Sequence, residues 1–467
     1  MNRTPLTLAE LATILQGRLS AGPADRPVTG LQYDSRILKP GQVFFAIQAP
    51  GGDGHDHVGK AAEAGAAGAV VSRPVETAAG LPQIVVDDTR AALLRFGAWK
   101  TGRWPGTVVG ITGSSGKTTT KEFTAEILSR RFRVFRSPGN YNNTLGLPVA
   151  LFDLESDSEV AVLEMGMSTP GELASLCAAI PPRVAVLANI GSVHLQNFPD
   201  REALARAKAE IVEGLRPDGI LVYNLDDPQV RRIAERSGRQ KLSYGSSHGA
   251  GLRIADWWIA PDRHTLAHLE WQGARLQIEL PLLGGHYLYN LAAAAAVGLA
   301  LGLSLDEILE GTSRLRPFKM RGEIREIPGR ILLLDDSYNS NPEAVQSLLE
   351  TLSRWPGRPP TVIVAGEMRE LGAESAGLHA AAGEAIALLG CERLIGVQGD
   401  ARHLVAAAAR AGVRAEFCED VPAALAALRA ALRPGQLLLV KGSRGVGLDR
   451  LVQALEGSQC CAEASRP

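Results

Sequence analysis

The chain has 467 residues, room for about three domains of ordinary size. Its 49 Lys and Arg against 50 Asp and Glu leave a net charge of −1, which excludes bulk electrostatic attraction to nucleic acid or an anionic membrane. With 45% hydrophobic and 21% charged residues wholesale disorder is excluded, and 50 glycines beside only 5% aromatics direct attention to sites built from backbone.

Five cysteines in so long a chain make no disulfide framework. Cys177, Cys391 and Cys418 are scattered and expected to be buried, while Cys460 and Cys461 sit in a polar tail with no zinc spacing. A reducing cytoplasm is the expected location. The first residues lack the apolar run of a signal peptide, and the longest uncharged stretch, 287–305, is Ala- and Gly-rich with Asn290 and Ser304 inside it. It reads as a buried helix, so no membrane insertion is expected.

Up to residue 103 the elements are short: a helix over 7–16, a strand over 42–47, a helix over 58–67, and strands near 69–71 and 83–86. T-G-R-W-P-G at 101–106 reads as a linker. From 107 strand and helix alternate, with apolar, β-branched strands at 107–111, 159–164, 183–190 and 219–224 and helices at 117–130 and 201–215. That alternation predicts a parallel sheet covered on both faces. An insertion-like stretch, 252–280, alternates polar and apolar residues as antiparallel strands do. Helices over 288–301 and 306–313 lead to a boundary near 316–319. Beyond it come strands at 331–335, 361–365, 393–397, 414–417 and 436–440, with helices over 343–354, 376–389, 403–411 and 421–432. This is a second doubly wound α/β pattern. The fold class expected is α/β in three domains, 1–105, 106–318 and 319–467.

The strongest chemical signal is G-I-T-G-S-S-G-K-T-T-T at 110–120, between a strand and a helix. Such a loop lets backbone N–H groups surround a phosphate at a helix N-terminus, with Lys117 on the outer phosphates and the Thr118 hydroxyl on Mg²⁺. Ile111 stands where the strict Walker pattern has its first glycine, and a Gly-rich turn before Lys-Thr is the alternative. Glu164 and His194 follow later strands, where ligands of open α/β sheets sit, and can hold a divalent ion; a capping Glu and a satisfied loop His are the alternatives. Asp335 and Asp336 end the first strand of the last segment, positioned for ribose hydroxyls or for a turn. His286 and Asn290, four apart on one helix, can read a base edge or simply start the helix. G-E-M-R-E-L-G (366–372) and K-G-S-R-G (441–445) bring cations to strand ends, as carboxylate binding requires.

Taken together these motifs resemble the Mur ligase family, along the whole chain. D-S-R (34–36), P-G-Q-V-F-F-A (40–46) and D-G-H-D (53–56) resemble its UDP-sugar domain. The loop at 110–120, G-N-Y-N-N-T-L-G-L-P (139–148), E-M-G (164–166), N-I-G-S-V-H-L (189–195) and A-K-A-E-I (207–211) resemble its ATP domain, whose shorter loop pattern accounts for Ile111. H-Y-L-Y-N, M-R-G-E (320–323), D-D-S-Y-N-S-N-P and the two cationic loops complete the set. Within the family, D-D-S-Y-N-S-N-P with G-E-M-R-E-L-G, and the absence of D-N-P-R, favour the type that adds D-alanyl-D-alanine to a UDP-N-acetylmuramoyl-tripeptide.

The resemblance implies ATP-dependent amide synthesis through an acyl phosphate, in peptidoglycan precursor assembly, by a cytoplasmic monomer using ATP and Mg²⁺. It implies Gly113, Ser114, Ser115, Gly116, Lys117, Thr118, Thr119, His286, Asn290, Arg321 and Asp336 around ATP. Lys117, Glu164, His194, Lys208 and Arg321 are the implied catalytic set, with Thr118, Glu164, His194 and a carbamylated Lys208 as metal ligands. Ser35, Arg36, Asp53, His55, Asn142, Asn143, Asn339, Asn341, Lys441 and Arg444 are the implied substrate contacts. For Lys208 the alternative is a surface ion pair with Glu210 or Glu213. Other readings compete: another Mur-type amino-acid ligase; a folylpolyglutamate synthase-like ligase, disfavoured by the 34–56 segment; and a P-loop regulator, disfavoured by the missing N-K-x-D motif.

Overall fold

The computed structural model describes residues 6–20, 22–77, 80–192, 195–316 and 319–457. His194, Cys460, Cys461 and two residues of the expected boundary, Pro317 and Phe318, lie outside the described residues.

Three sheets organise the chain. In the first, strands run in the order Arg18–Leu19, Gln83–Val85, Gly68–Val71, Gln42–Phe45, Gly30–Gln32, parallel except for the first pair. Thr7 opens the helix Leu8–Ile14 with a capping box to Glu10. The helix Thr89–Gly102 starts at Asp88, whose side chain accepts from the amides of Arg90 and Ala91, and buries Ala92, Leu93 and Phe96 at helical spacing. It runs through Thr101 and Gly102, so the expected linker begins two residues later than its Gly content suggested. Trp104 then turns inward and donates from Nε1 to the Ser158 carbonyl, 2.8 Å.

The central sheet has nine strands, ordered Ala274–Leu280, Thr265–Trp271, Leu252–Ile259, Gln240–Gly245, Ile220–Asn224, Val184–Leu187, Thr107–Thr112, Val160–Glu164, Val134–Arg136. The last seven are parallel; the first two fold back antiparallel. The 252–280 stretch is therefore a continuation of this sheet at its edge, not an inserted unit. Two cores cover its faces. On one, Phe123 and Ile127 of the helix Lys117–Leu128 meet Leu288 and the alanines of Gly285–Ala300; on the other, Leu173 and Leu176 meet Leu204 and Ile211. Small residues let Gly285–Ala300 lie close on the sheet, which is why this uncharged stretch is a core helix. Among the described residues no helix is long and apolar enough to cross a membrane.

The third sheet is ordered Glu323–Ile327, Ile331–Asp336, Leu437–Lys441, Thr361–Gly366, Arg393–Val397, Ala415–Cys418, parallel except for its first, edge strand. That edge strand and the final helix Leu448–Glu456 were not apparent in the sequence. Cys177 and Cys418 are buried; Cys391, expected buried, is only partly so, at the turn after the helix Ser375–Leu389.

Candidate active site at the seam of two sheets

The carboxyl ends of the central strands and of Ile331–Asp336 and Leu437–Lys441 open into one cavity of about 620 Å³. Its walls include Ser114 to Thr119, Asn142, Glu164, His286, Asn290 and Arg321, and, from the last domain, Asp336, Asn339, Asn341 and Lys441. The sequence-predicted groups from two distant segments thus share one space.

The phosphate loop follows the strand Thr107–Thr112 and ends at Gly116, the cap of Lys117–Leu128, with φ of 76°. A Cβ there would collide with the Asn290 carboxamide, so only glycine allows this loop and the helix Gly285–Ala300 to approach so closely. The helix has no capping side chain. Its first-turn amides are the free donors that an anion needs. The two serines have other work. Ser114 N donates to the Asn189 carbonyl (3.0 Å) and its hydroxyl accepts from Gly191 N (2.9 Å), while Ser115 N donates to Asn189 Oδ1 (2.8 Å). Asn189, which the motif reading passed over although it lies just beyond a strand, is the strut of this loop. Gly113 lies behind it, its carbonyl accepting from Lys117 Nζ at 2.8 Å.

Glu164 is buried at the end of its strand. Oε2 accepts from the Thr118 hydroxyl (2.8 Å) and Oε1 from Asn142 Nδ2 (2.8 Å). Arg321 Nη2 reaches Thr118 Oγ1 at 3.3 Å, and its guanidinium carbon lies 4.1 Å from the Tyr338 ring centroid. Burial lowers the Lys117 pKa, opposed by Glu164 and reinforced by Arg321. A carboxylate beside a hydroxyl, both aimed at a polar cavity, is the hard-oxygen set that Mg²⁺ takes, so these residues fit the ion.

Lys208 is 1% exposed on the inner face of Arg201–Glu213. A surface ion pair is ruled out: Glu210 accepts from the amides of Gly171 and Ala174, and among the described residues no hydrogen bond or ion pair reaches the Lys208 ammonium. Burial first, and Lys117 second, push its pKa well below the ordinary lysine value.

On the opposite wall Lys441 Nζ is 2.6 Å from Asp336 Oδ2 and 3.1 Å from the Asn339 carbonyl. Lys441 is buried and spent on Asp336, so it is not a free cation awaiting a substrate carboxylate; pairing a buried charge costs less than leaving it alone. Asn341 caps the helix Pro342–Ser353 by accepting from Ala344 N. Arg444 lies outside the cavity, exposed, 5.7 Å from the Tyr338 ring and 3.5 Å from Asp449. His286 lines the cavity with a buried Nδ1 that has no partner among the described residues. Burial brings its pKa down to about 4, Asp336 opposing and Lys441 assisting. Thr120 Oγ1 donates to Asn290 Oδ1 at 3.1 Å.

Several implied substrate contacts stand elsewhere. His55 is 2% exposed; its Nε2 accepts from Ser72 N and its Nδ1–H donates to Asp53 Oδ1 (2.6 Å), so both ring nitrogens brace the first domain and none is offered to a ligand. Asp53 also meets Arg73 at 2.8 Å and is held well below the usual carboxylate range, chiefly by the His55 amide. Asn143 is a local cap, accepting from Leu145 N and Gly146 N. Ser35 is half-buried and Arg36 exposed, paired to Asp34 at 2.7 Å. Sequence reasoning also missed Asp226 and Asp227. The first gathers Ser246, Ser247 and Tyr289 donors, and the second caps Pro228–Arg236 and holds Ile190 N (2.8 Å). The D-D-P run after a strand was the available signal.

Three family models match in chain order: Mur ligase family, catalytic domain, at 27–99; Mur ligase middle domain, at 111–298; and Mur ligase, glutamate ligase domain, at 320–444. The UDP-N-acetylmuramoyl-tripeptide--D-alanyl-D-alanine ligase of Escherichia coli (strain K12) is 34% identical, over 98% of this chain and 99% of that protein. The crystal structure of MurF from Acinetobacter baumannii superposes with a TM-score of 0.87 at 29% identity, covering 97% of this chain and 99% of that one. MurF ligase from Thermotoga maritima in complex with ADP gives 0.80 at 32% identity, covering 92% and 97%. A phosphate loop braced by Asn189, faced by Arg321 and completed by a third domain is thus found in a chain whose full length follows these enzymes: it belongs to the Mur ligase family.

Proposed function

We propose that the chain is an ATP-dependent ligase that joins D-alanyl-D-alanine to a UDP-N-acetylmuramoyl-tripeptide in peptidoglycan precursor synthesis. The observation that carries this reading is the seam itself, where the phosphate loop, Glu164 and Arg321 face Asp336 and Asn339 across one cavity. A carboxylate is a poor acyl donor because oxide is its leaving group. Transfer of the γ-phosphoryl group to the tripeptide carboxylate gives an acyl phosphate; the dipeptide amine then attacks the carbonyl carbon, phosphate departs, and the amine proton is lost.

In that scheme the first-turn amides and Lys117 hold the phosphates, and Arg321 compensates charge on the transferring group. Thr118 and Glu164, with His194, would hold a divalent ion, which when bound would supply further positive charge beside the phosphates. Asn142 keeps Glu164 oriented for it. Lys208 as an ammonium would oppose such an ion. As the buried neutral amine that its depressed pKa favours, it can take up carbon dioxide, release a proton and present two carbamate oxygens. Asn290 and His286 read the nucleotide, with Asp336, aligned by Lys441, on the ribose. Arg444, with Asn339 and Asn341 near it in the chain's last domain, receives the dipeptide; Ser35 and Arg36 serve the UDP end. His55 and Asp53 shape that end without touching it. We assign the three substrates to 1–105, 106–318 and 319–467, in a cytoplasmic monomer.

Phosphate release tests this. It should require ATP, the UDP-sugar tripeptide and the dipeptide together; release with folate or glutamate substrates instead would favour the folylpolyglutamate-type alternative, which the 27–99 match argues against. Hydroxylamine added without dipeptide should trap a hydroxamate at the tripeptide carboxylate. Trapping only at the dipeptide carboxylate would reverse the assigned direction.

A further inference from the structure

Among the contacts that the C-terminal domain makes with the central domain, those of the helix Pro342–Ser353 grip it at both ends. At its far end the contacts are apolar. Ile259 and Leu283 of the central chain sit in the core formed by Leu348, Leu349 and Leu352, and Arg354 lies 4.5 Å over the Trp257 ring. At its near end the contact is polar and small. Glu343 Oε1 accepts from both Ser192 N (2.9 Å) and Ser192 Oγ (2.8 Å), and Ser192 Oγ in turn accepts from Arg201 at 3.0 Å. Ser192 is fully buried, whereas Glu343 is exposed along the cavity wall.

What Ser192 belongs to matters. One residue back, Gly191 N donates to Ser114 Oγ, and two further back Asn189 ties down Ser114 and Ser115. A Cβ on Gly191 would stand 2.8 Å from the Glu343 carboxyl carbon and 3.0 Å from each oxygen. The segment is therefore shaped to receive that carboxylate. A continuous run of hydrogen bonds leads from a side chain of the C-terminal domain, through 189–192, to the loop that would hold the phosphates. A charge-assisted bond open to solvent on one side is strong enough to order the segment and weak enough to break. The apolar end of the helix has no such freedom.

We propose that Glu343 is a positioning residue: by gripping Ser192 it makes the ordering of the phosphate loop depend on docking of the C-terminal domain. The proposal deepens the ligase reading and rests on it only for its kinetic arm. Glu343→Leu removes the acceptor; Glu343→Gln keeps Oε1 and so keeps both bonds without the charge.

Hydrogen exchange on the full-length chain is the direct test. In Glu343→Leu the amides of Gly191, Ser114 and Ser115, none of them bonded to Glu343 itself, should exchange about tenfold faster, while the strand Thr361–Gly366 keeps its protection. In Glu343→Gln most of the protection should return. At saturating substrates kcat should fall about tenfold in the leucine variant, more than KM for ATP rises, and Ser192→Ala should add little on top of it. Wild-type exchange at Gly191, Ser114 and Ser115 in Glu343→Leu would overturn the proposal. So would protection lost equally in Thr361–Gly366, which marks simple destabilisation, or a glutamine variant no better than leucine. Should the proposed substrates release no phosphate even with the unaltered chain, the ligase reading fails while the exchange result still decides this one.

Discussion

The two doubly wound sheets meet at the same cavity, but their strand ends are treated differently. On the central side Lys117 lies among Lys208 and Arg321, with Glu164 and Glu370 opposing them, and no hydrogen bond or ion pair reaches Lys208 among the described residues. On the C-terminal side the charges neutralise each other, Asp336 with Lys441, and Asp335 with Arg325 at 3.3 Å. Uncompensated positive charge suits a site that must receive a polyphosphate and a transferring phosphoryl group. Paired charge suits a wall that must hold its shape whether or not a ligand is bound. One wall is electrostatically unfinished without its ligand; the other is complete.

The contrast can be broken from the unfinished side first. Lys117→Ala should cost on the order of 10²-fold or more in turnover with the fold intact, because no neighbour replaces a cation on the phosphates; near-normal turnover in a folded variant would remove the phosphate-loop assignment. Lys208→Ala should also lose most activity and regain part of it when short carboxylates are added to occupy the vacated ligand position. Peptide mapping of fresh enzyme should find the carbamate on Lys208. An unmodified lysine together with a fully active alanine variant would contradict this.

The completed side should respond differently. Lys441→Met leaves Asp336 unpaired and should destabilise the domain by roughly 3 kcal/mol, as should Asp336→Leu, whereas the double variant should be more stable than either single one. Additive losses in denaturant titrations would show that the pair is not one unit. His286 gives an effect that depends on pH. Its folded pKa, near 4, lies below the ordinary value of 6.5, so its contribution is present above pH 6.5 and is lost as pH falls towards 4. The difference in stability between the unaltered chain and His286→Gln should shrink by about 1.4 kcal/mol per pH unit across that window. A pH-independent difference would mean that the imidazole titrates normally.

The same contrast explains what could be read from the sequence. The run from Gly110 to Thr120 carries its chemistry in consecutive residues, and buried strands such as Thr107–Thr112 and Val160–Glu164 announce themselves by continuous β-branched runs. The three-residue edge strand Val134–Arg136 and the inner strand Gln240–Gly245, which opens on Gln240 and Lys241, have no such signature, and Glu323–Ile327 carries Glu323, Arg325 and Glu326 at the edge of its sheet. Pairing is also invisible in sequence. Lys441 looks free until Asp336, 105 residues away, closes on it, and His55 looks like a ligand until Ser72 and Asp53 occupy both nitrogens. Residue type sets what a group can do; only its neighbours in space decide whether it is available.

Ile259 and Leu283 belong to the polypeptide of the central sheet yet fill the hydrophobic core of the C-terminal domain. The boundary of the chain's chemistry and the boundary of its folding units therefore do not coincide. A C-terminal fragment cut at the boundary near 316–319 would leave behind two of its own core side chains and expose apolar surface that water does not normally reach. The two regions should consequently melt as one calorimetric event, so heat that loosens the C-terminal domain also dismantles the edge of the central sheet. Cooperative unfolding of this kind keeps a partly melted enzyme from persisting with an intact phosphate loop and no partner to protect an acyl phosphate from water.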